Sequence, residues 1–343
     1  MNTRLNMSLT LKQRWIRWTH WEYWPMWTIY VPLAPYYFYL SARSGGLGFF
    51  TRTNPCMPTG GMGLMDKEDM YNLLPKGSFP TTSYFNSETE FTSIQTWIST
   101  NNIEFPLVVK PAKGCRGRGV QFIHSENELQ QFVLNCQEKM VIQSLIPFNN
   151  EVGIFYVRIP GESRGRITGI VEKKGIEIIG DGVHSIKELV AERERYALHL
   201  IHLEKDSSLN LNEILPKGKT KELSSIGNHA RGATFFDVTF RNSEKLEGVF
   251  NSISNQIEGF YYGRFDVKFE SWELLENGEA FSLVELNGAN SEPTHVYDPN
   301  HSYFFALNEF RKHWKLMAEI SRKNKTVCPV MPWKKAFQLF NDL

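Results

Sequence analysis

Apolar positions follow two different patterns along the chain. Near the amino terminus Trp15, Trp18, Trp21, Trp24 and Trp27 recur every third residue, with Lys12, Arg14, Arg17, His20 and Glu22 between them. This spacing predicts a helix over residues 11–24. Pro25, Pro32, Pro35, Pro55 and Pro58, with Gly45, Gly46, Gly48, Gly60 and Gly61, predict irregular or re-entrant chain over 25–62. From Asp66 onward helix and strand signals alternate, the pattern of an α/β or α+β fold. Residues 66–74 have helical spacing that stops at Pro75, and 126–136 read as a second helix. Residues 105–110, 120–124, 140–146 and 154–159 read as strands. Residues 168–172 and 177–179 suggest a hairpin turning near Gly175. Residues 186–203 read as one helix with a charged outer face, and 206–224 as polar and mobile chain. Strands follow at 235–239, 262–269 and 280–286, the last two joined across 276–278, and 303–323 is a long helix. No internal repeat or low-complexity tract interrupts this order.

Composition changes the picture little. In 343 residues, 41% are hydrophobic and 22% charged, enough for a sizeable core and two or so domains. A net charge of +1 gives no electrostatic reason for a nucleic-acid partner. Cys56, Cys115, Cys136 and Cys328 form no CxxC pair and no zinc spacing, and read as reduced thiols of a cytoplasmic protein. Cys115, inside a glycine-rich loop, is a candidate reactive thiol. The aromatic amino terminus does not resemble a signal peptide. No charged residue falls between Tyr23 and Ala42. Three readings stay open for it: a segment that contacts a membrane surface through residues 11–42, an aromatic cap packed on the protein's own core or on the mate of a homodimer, and a true membrane span.

Two places carry candidate chemistry. In the run from Val108 to Val120, a strand delivers Lys110 and then a loop holds Gly114, Gly117 and Gly119. Such glycines let backbone N–H groups approach a phosphate chain, although the same run could form an ordinary hairpin. Neither a Walker A loop nor a dinucleotide fingerprint is present. In the second place, Glu285 and Asn287 sit two residues apart on one strand and so share a face, and a neighbouring strand can bring Asp266 beside them. Two carboxylates and an amide oxygen suit hard cations that bridge phosphates. The alternative is a pair of solvated hairpin strands, but Leu283, Val284 and Leu286 make the strand look substantially buried.

Taken in order, these motifs resemble the ATP-grasp superfamily, nearest in pattern to D-alanine–D-alanine ligase and the ATP-grasp region of cyanophycin synthetase. Met65-Asp66-Lys67, then Leu73-Leu74 and Phe79-Pro80, resembles the segment whose lysine touches ATP phosphate. Lys110, Lys113 and the Gly114–Gly119 loop resemble the second ATP lysine and the phosphate lid. Gln143, Ser144, Leu145 and Ile146 resemble the hinge that holds adenine, with Gln143 where the family usually has Glu, and Glu151 resembles the ribose carboxylate. Ile179-Gly180-Asp181-Gly182 with Ser185–Leu189, and Ile226–Ala233 before Asp237-Val238-Thr239, resemble cyanophycin synthetase elements. Within the second, Asn228 and His229 are candidate substrate contacts, and Arg231 is a candidate catalytic arginine at the transferring phosphoryl group. Arg264 resembles an arginine that holds the acyl-phosphate oxyanion, and Asp266, Glu285 and Asn287 resemble the family's metal ligands.

The resemblance implies an α+β ATP-grasp fold, two α+β lobes clasping ATP, over residues 63–323. A Trp-rich segment (1–62) precedes it and a tail (324–343) follows. It further implies an ADP-forming ligase using ATP and two Mg²⁺ ions, for which Mn²⁺ can substitute, on a small-molecule carboxylate and amine. The expected location is cytoplasmic and, on the first of the three readings of the aromatic segment, peripheral at the inner face of the membrane. The chain departs from the ligases by lacking their full amino-terminal α/β domain, so their substrate does not carry over. After Asn287 the loop to His295 also departs, and Glu292 and His295 are candidates either for substrate contact or for capping the long helix that follows.

Overall fold

The computed structural model describes residues 2–63, 65–114, 119–204, 209–224, 233–332 and 334–335, with the backbone alone for 2–10 and 224. The chain opens with helices α1 (Asn2–Thr19) and α2 (Trp27–Ser44). The first lobe follows as α3 (Lys67–Leu73), β1 (Thr82–Phe85), α4 (Phe91–Thr100), β2 (Leu107–Pro111), β3 (Gln121–Ile123), α5 (Glu126–Leu134) and β4 (Met140–Ser144). Its four strands form an antiparallel sheet in the order β1-β4-β2-β3. Helices α4 and α5 bury Ile94, Leu129 and Val133 against its Leu107, Val109 and Ile142.

The second lobe holds β5 (Asn150–Val157), β6 (Arg166–Lys174), β7 (Ile176–Ile179), α6 (Ile186–Glu192), α7 (Glu194–Ala197), α8 (Leu200–Leu203), β8 (Thr220–Ser224) and β9 (Thr234–Asp237). It continues through α9 (Glu244–Gln256), β10 (Tyr262–Phe269), α10 (Trp272–Glu276), β11 (Phe281–Asn287) and α11 (Tyr303–Lys323). Five strands form an antiparallel sheet in the order β11-β10-β5-β6-β9. One face packs on α9 through Phe250, Ile253 and Phe265, and the same apolar cluster takes in Met70 and Tyr71 of α3. The fold is thus α+β, and the two lobes meet through one shared core.

Several sequence expectations need correction. The expected hairpin near Gly175 does not form. β6 pairs with β5 and β9, whereas β7 pairs with β8 in a separate two-stranded sheet. A partner strand 40 or so residues away in sequence leaves no local signal. The expected single helix over 186–203 is broken into three short ones: Arg193 takes an extended conformation (φ −80°, ψ 119°) between the first two, and Leu198 and His199 separate the last two. Residues 209–224, read as polar and mobile, bury Leu211, Leu215 and Leu223 beneath this small sheet. The joint between β10 and β11 contains α10 as well as a turn.

The largest correction is at the amino terminus. Residues 27–44 form helix α2 despite Pro32 and Pro35 inside it. An interior proline costs a helix about 3 kcal/mol, so local propensity opposes this element. Tertiary packing overrides it. Ile29, Leu33 and Leu40 are buried, Tyr30 stacks on Trp314 of α11, and Tyr37 meets the same indole edge-on at 5.4 Å. Behind α2, buried Asn54 uses its whole amide. Its Oδ1 accepts from the N–H groups of Tyr261 and Tyr262, and its Nδ2 donates to the carbonyls of Gly60 and Tyr262. Residues 54–61 thereby brace β10. Gly61 and Gly288 also press backbone to backbone: a Cβ on Gly61 would lie 2.6 Å from Gly288 Cα.

Of the five tryptophans, Trp21 is buried, stacks on Tyr297 and donates its indole N–H to the His301 carbonyl, so the segment does cap the protein's own core. Trp15, Trp18 and Trp27 remain 68%, 83% and 63% exposed, which a self-packed cap does not explain. Among the described residues no helix is long and apolar enough to cross a membrane. The contrast is testable. Trp21→Ala is expected to cost about 3–5 kcal/mol of unfolding free energy, and Trp18→Ala less than about 0.5 kcal/mol. Equal denaturation midpoints for the two variants would refute the assignment of Trp21 to the core.

Candidate active site

Strand alternation sets up the second lobe's wall. On β10, Arg264 and Asp266 are two residues apart and share a face, while Phe265 and Val267 turn into the core. Register places Asp266 opposite Glu285 and Arg264 opposite Asn287 on β11. On the other side Asp266 faces Gly153 of β5. A Cβ there would lie 3.0 Å from Arg264 Cδ and 3.3 Å from Asp266 Oδ1, so glycine leaves the gap these side chains fill. Across that gap Lys173 of β6 reaches Asp266 Oδ1 at 3.1 Å and Glu151 Oε1 at 2.8 Å. Arg264 grips Asp266 with two bonds, Nε to Oδ1 at 2.8 Å and a terminal nitrogen to Oδ2 at 3.1 Å. Asn287 adds a longer donation to Oδ2 at 3.4 Å.

Burial alone would raise the Asp266 pKa, and the adjoining Arg264 and Lys173 charges reverse that, holding it lowered to about 2. The same carboxylate raises the pKa of Lys173 and Arg264 against a burial effect that would lower both. Glu285 is half-buried rather than deeply buried, as is Val284 before it.

The opposite wall comes from the first lobe. Lys110 of β2 is buried and donates to the Tyr71 hydroxyl at 2.9 Å. Tyr71 in turn donates to the Val284 carbonyl at 2.8 Å, with Gln143 Oε1 at 3.4 Å. One phenol thus ties α3, β2 and the metal-candidate strand β11 together. Burial drives the Lys110 pKa down to about 8, with Glu285 opposing the shift. Gln143 is also held by its Nε2 on Thr82 Oγ1 at 2.7 Å. Lys67 donates to the Gly114 carbonyl at 2.9 Å, so it lies at the start of the glycine-rich loop. Gly119 has φ +72°, and a Cβ there would meet Pro111 Cγ at 2.8 Å. Lys113 is exposed.

Ser144 ends β4, and Leu145 and Ile146 stand on the link to β5, with Leu145 exposed and Ile146 half-buried. Glu151 is drawn into the Lys173–Asp266 group, an engagement that a ribose contact would have to share. Cys115, Gly117, Asn228, His229 and Arg231 lie outside the described residues. Glu292 accepts from Tyr297 at 2.7 Å, and His295 is buried beside Glu309 at 3.7 Å. Neither caps α11. Ser302 does so, its Oγ accepting from the Phe305 N–H. The Gly180–Gly182 motif builds a turn on Asp181, which accepts from the N–H groups of Val183 and His184, ahead of a Ser185/Glu188 capping box.

Sequence reasoning missed Tyr71, Lys173 and Gly153. Signals existed for two of them. Tyr71 falls one helical turn after Lys67 and so shares its face. Lys173 continues the Ile167, Gly169, Val171 row of β6.

Asp266, Glu285 and Asn287 offer hard oxygen donors that fit Mg²⁺, and among the described residues no group of three or more His, Cys, Asp or Glu could hold a metal by itself. Two carboxylates and one amide oxygen would leave an ion there to draw its remaining ligands from phosphate and water.

Removing Asp266 takes from buried Arg264 its hydrogen-bonded carboxylate and leaves buried Lys173 with Glu151 alone. Asp266→Ala is expected to cost about 3–5 kcal/mol, and Glu285→Ala less than about 1 kcal/mol, in denaturant titrations without nucleotide or metal. Because the folded pKa of Asp266 is lowered to about 2, its contribution is full above the unfolded value of about 4 and is lost as pH falls toward about 2. An acid-unfolding profile unchanged in Asp266→Asn would contradict this.

Parts of the chain are similar to known proteins. Residues 73–190 match the ATP-grasp domain family. The chain is 25% identical over 261 residues to the glutathione biosynthesis bifunctional protein GshAB of Streptococcus thermophilus strain ATCC BAA-250 / LMG 18311, covering 69% of this chain and 33% of that protein. The GshAB protein of strain CNRZ 1066 is 24% identical over the same coverage. The chain thus spans about a third of the length of the curated relatives it matches. Among solved structures, a bifunctional glutathione synthetase from Pasteurella multocida aligns at 14% identity, over 70% of this chain and 34% of its own, with a TM-score of 0.43. D-alanine–D-alanine ligase from Bacillus anthracis aligns at 14% identity over 76% and 67%, with a TM-score of 0.41. Over residues 73–190 the chain is thus similar to the ATP-grasp domain, in line with the resemblance its motifs imply.

Proposed function

We propose that the protein is an ATP-dependent, ADP-forming ligase that joins a small-molecule carboxylate to an amine through an acyl phosphate. The observation that carries this reading is the pairing of two walls. Lys110, bonded through Tyr71 to the Val284 carbonyl, faces the strand that bears Glu285 and Asn287, and Asp266 lies directly across from Glu285. Phosphate oxygens between such walls would meet lysine on one side and carboxylate-bound cation on the other. The relatives' role in glutathione biosynthesis supports the ligase class.

In this reading Lys67, Lys110 and Lys113 neutralise phosphates. Gln143 with the Ser144–Ile146 link holds the base, and Glu151 the sugar. Asp266, Glu285 and Asn287 hold two Mg²⁺ ions, with Mn²⁺ as a substitute. Bound metal supplies Lewis-acid stabilisation of charge on the transferring phosphoryl group. Arg264 and Arg231 stabilise the oxyanion and the phosphoryl oxygens. The substrate carboxylate attacks the terminal phosphorus, ADP leaves, and the amine then displaces phosphate from the activated carbonyl. Asn228, His229, Glu292 and His295 are the residues assigned to the substrates. The reading has a finer part: one substrate is presented at the inner face of a membrane, against which residues 11–42 rest.

The test is ADP release with Mg²⁺ and pooled carboxylates and amines. Lys110→Ala and Glu285→Ala are each expected to lower turnover at least about 100-fold, in the range seen when one charge-stabilising group is removed. Unchanged turnover in both would overturn the site. Nucleotide affinity is also expected to weaken as pH rises through about 8, where Lys110 loses its proton. Titrations at pH 7 and pH 9 read this directly, and the dependence should vanish in Lys110→Met.

A further inference from the structure

Helix α2 has two apolar faces, and only one of them is used inside the protein. Ile29, Leu33 and Leu40 pack inward among the residues around α11. On the opposite side Trp27, Val31, Pro35 and Phe38 follow each other at intervals of three and four, so they form one stripe. All four are exposed, Trp27, Val31 and Phe38 at 63%, 62% and 59%. Helix α1 repeats the arrangement. Ile16 is fully buried, and Lys12 and Gln13 donate to carbonyls of Ala191, Glu192 and Ala197 on the inner side. Leu11, Trp15 and Trp18 line its outer side. A surface helix normally presents polar residues to water, and one that is apolar all round meets a second apolar phase.

Charge and residue type indicate which phase. Residues 1–43 contain Arg4, Lys12, Arg14, Arg17 and Arg43 against a single acid, Glu22. Glu22 is buried and paired with Arg195, so it offers no negative charge at the surface. Arg14, Arg17 and Arg43 are exposed beside the aromatic stripes. Tryptophan and tyrosine favour the headgroup level of a bilayer, and exposed arginines favour anionic lipid. The inward face of α2 is committed to α11, and no described helix can span a bilayer, so the helix must lie in the plane of the surface.

We infer that the outer stripes of α1 and α2 dock flat on an anionic phospholipid surface. The inference rests on the membrane reading given above and is independent of the ligase chemistry. It also connects that surface to the candidate site. Tyr30 of α2 contacts Glu292 at 3.4 Å, and Glu292 belongs to the loop that follows Asn287. The docked face is therefore one side chain away from the loop assigned to the substrates. The substrate class that fits is a molecule whose carboxylate or amine is held at headgroup level.

The test is co-sedimentation of the full chain with vesicles of phosphatidylcholine alone and of phosphatidylcholine with phosphatidylglycerol, at low and high salt, with ADP formation followed separately. Preferential binding to the anionic vesicles, weakened by salt, is the expected result. The triple variant Trp27→Ser/Val31→Ser/Phe38→Ser should lose at least tenfold in partition. Arg14→Glu/Arg17→Glu, at two exposed positions, should lose at least about 25-fold, since each arginine near the surface is worth about fivefold. Both variants should keep their near-ultraviolet circular dichroism and their ADP formation in solution. Binding that ignores lipid charge and both sets of substitutions would overturn this docking face while leaving membrane association standing. No binding to any vesicle would overturn both. A dimer in light scattering that the triple variant abolishes, with no vesicle binding, would assign the stripes to a second copy of the chain instead.

Discussion

The interaction on which the site depends is the burial of Asp266 between Arg264 and Lys173. A carboxylate in this position is tolerable only when opposite charges and hydrogen bonds replace its lost water. Both cations come from strands of the same sheet, and both reach the carboxylate because Gly153 leaves the intervening position on β5 empty. The order β11-β10-β5-β6 is therefore more than a scaffold. It brings residues from three distant parts of the chain to one point, and a one-residue change of register on β10 would turn Asp266 into the apolar core and Phe265 into the cleft.

A second constraint acts across the lobes. Tyr71 accepts from Lys110 and donates to the Val284 carbonyl, so a buried lysine, a helix and the strand carrying Glu285 are held by one hydroxyl. The lysine is costly to bury, which is why its pKa falls to about 8. An anionic ligand in the cleft would supply the charge that Tyr71 cannot. The arrangement keeps Lys110 in place before any ligand arrives, so less ordering remains to be done on binding.

The amino-terminal segment takes on a structural task as well as a surface. Asn54, the Gly61–Gly288 contact and the Trp21–Tyr297 stack fasten it to β10, to the loop after β11 and to the turn before α11. Its exposed stripes are then presented by a rigid support. The same residues that brace the loop after Asn287 hold α2 beside it, so the exposed stripes and the candidate substrate loop share one body.

The sequence by itself determined what depends on local pattern. The strand periods at 105–110 and 262–269, the helix at 303–323, and the shared face of Glu285 and Asn287 were legible because alternation and helical spacing are properties of a few adjacent residues. The order of Lys110, Gln143, Asp266 and Glu285 was also legible, and a family motif is by nature a linear pattern. Tertiary structure alone decided the rest. It separated β6 from β7, ordered the leucines around 211–223, and kept α2 helical through two prolines. It also revealed Lys173 and Tyr71 as partners of residues 93 and 39 positions away in sequence. The reason is common to all of these cases: each is settled by burial against segments remote in the chain, a free energy that no local window contains.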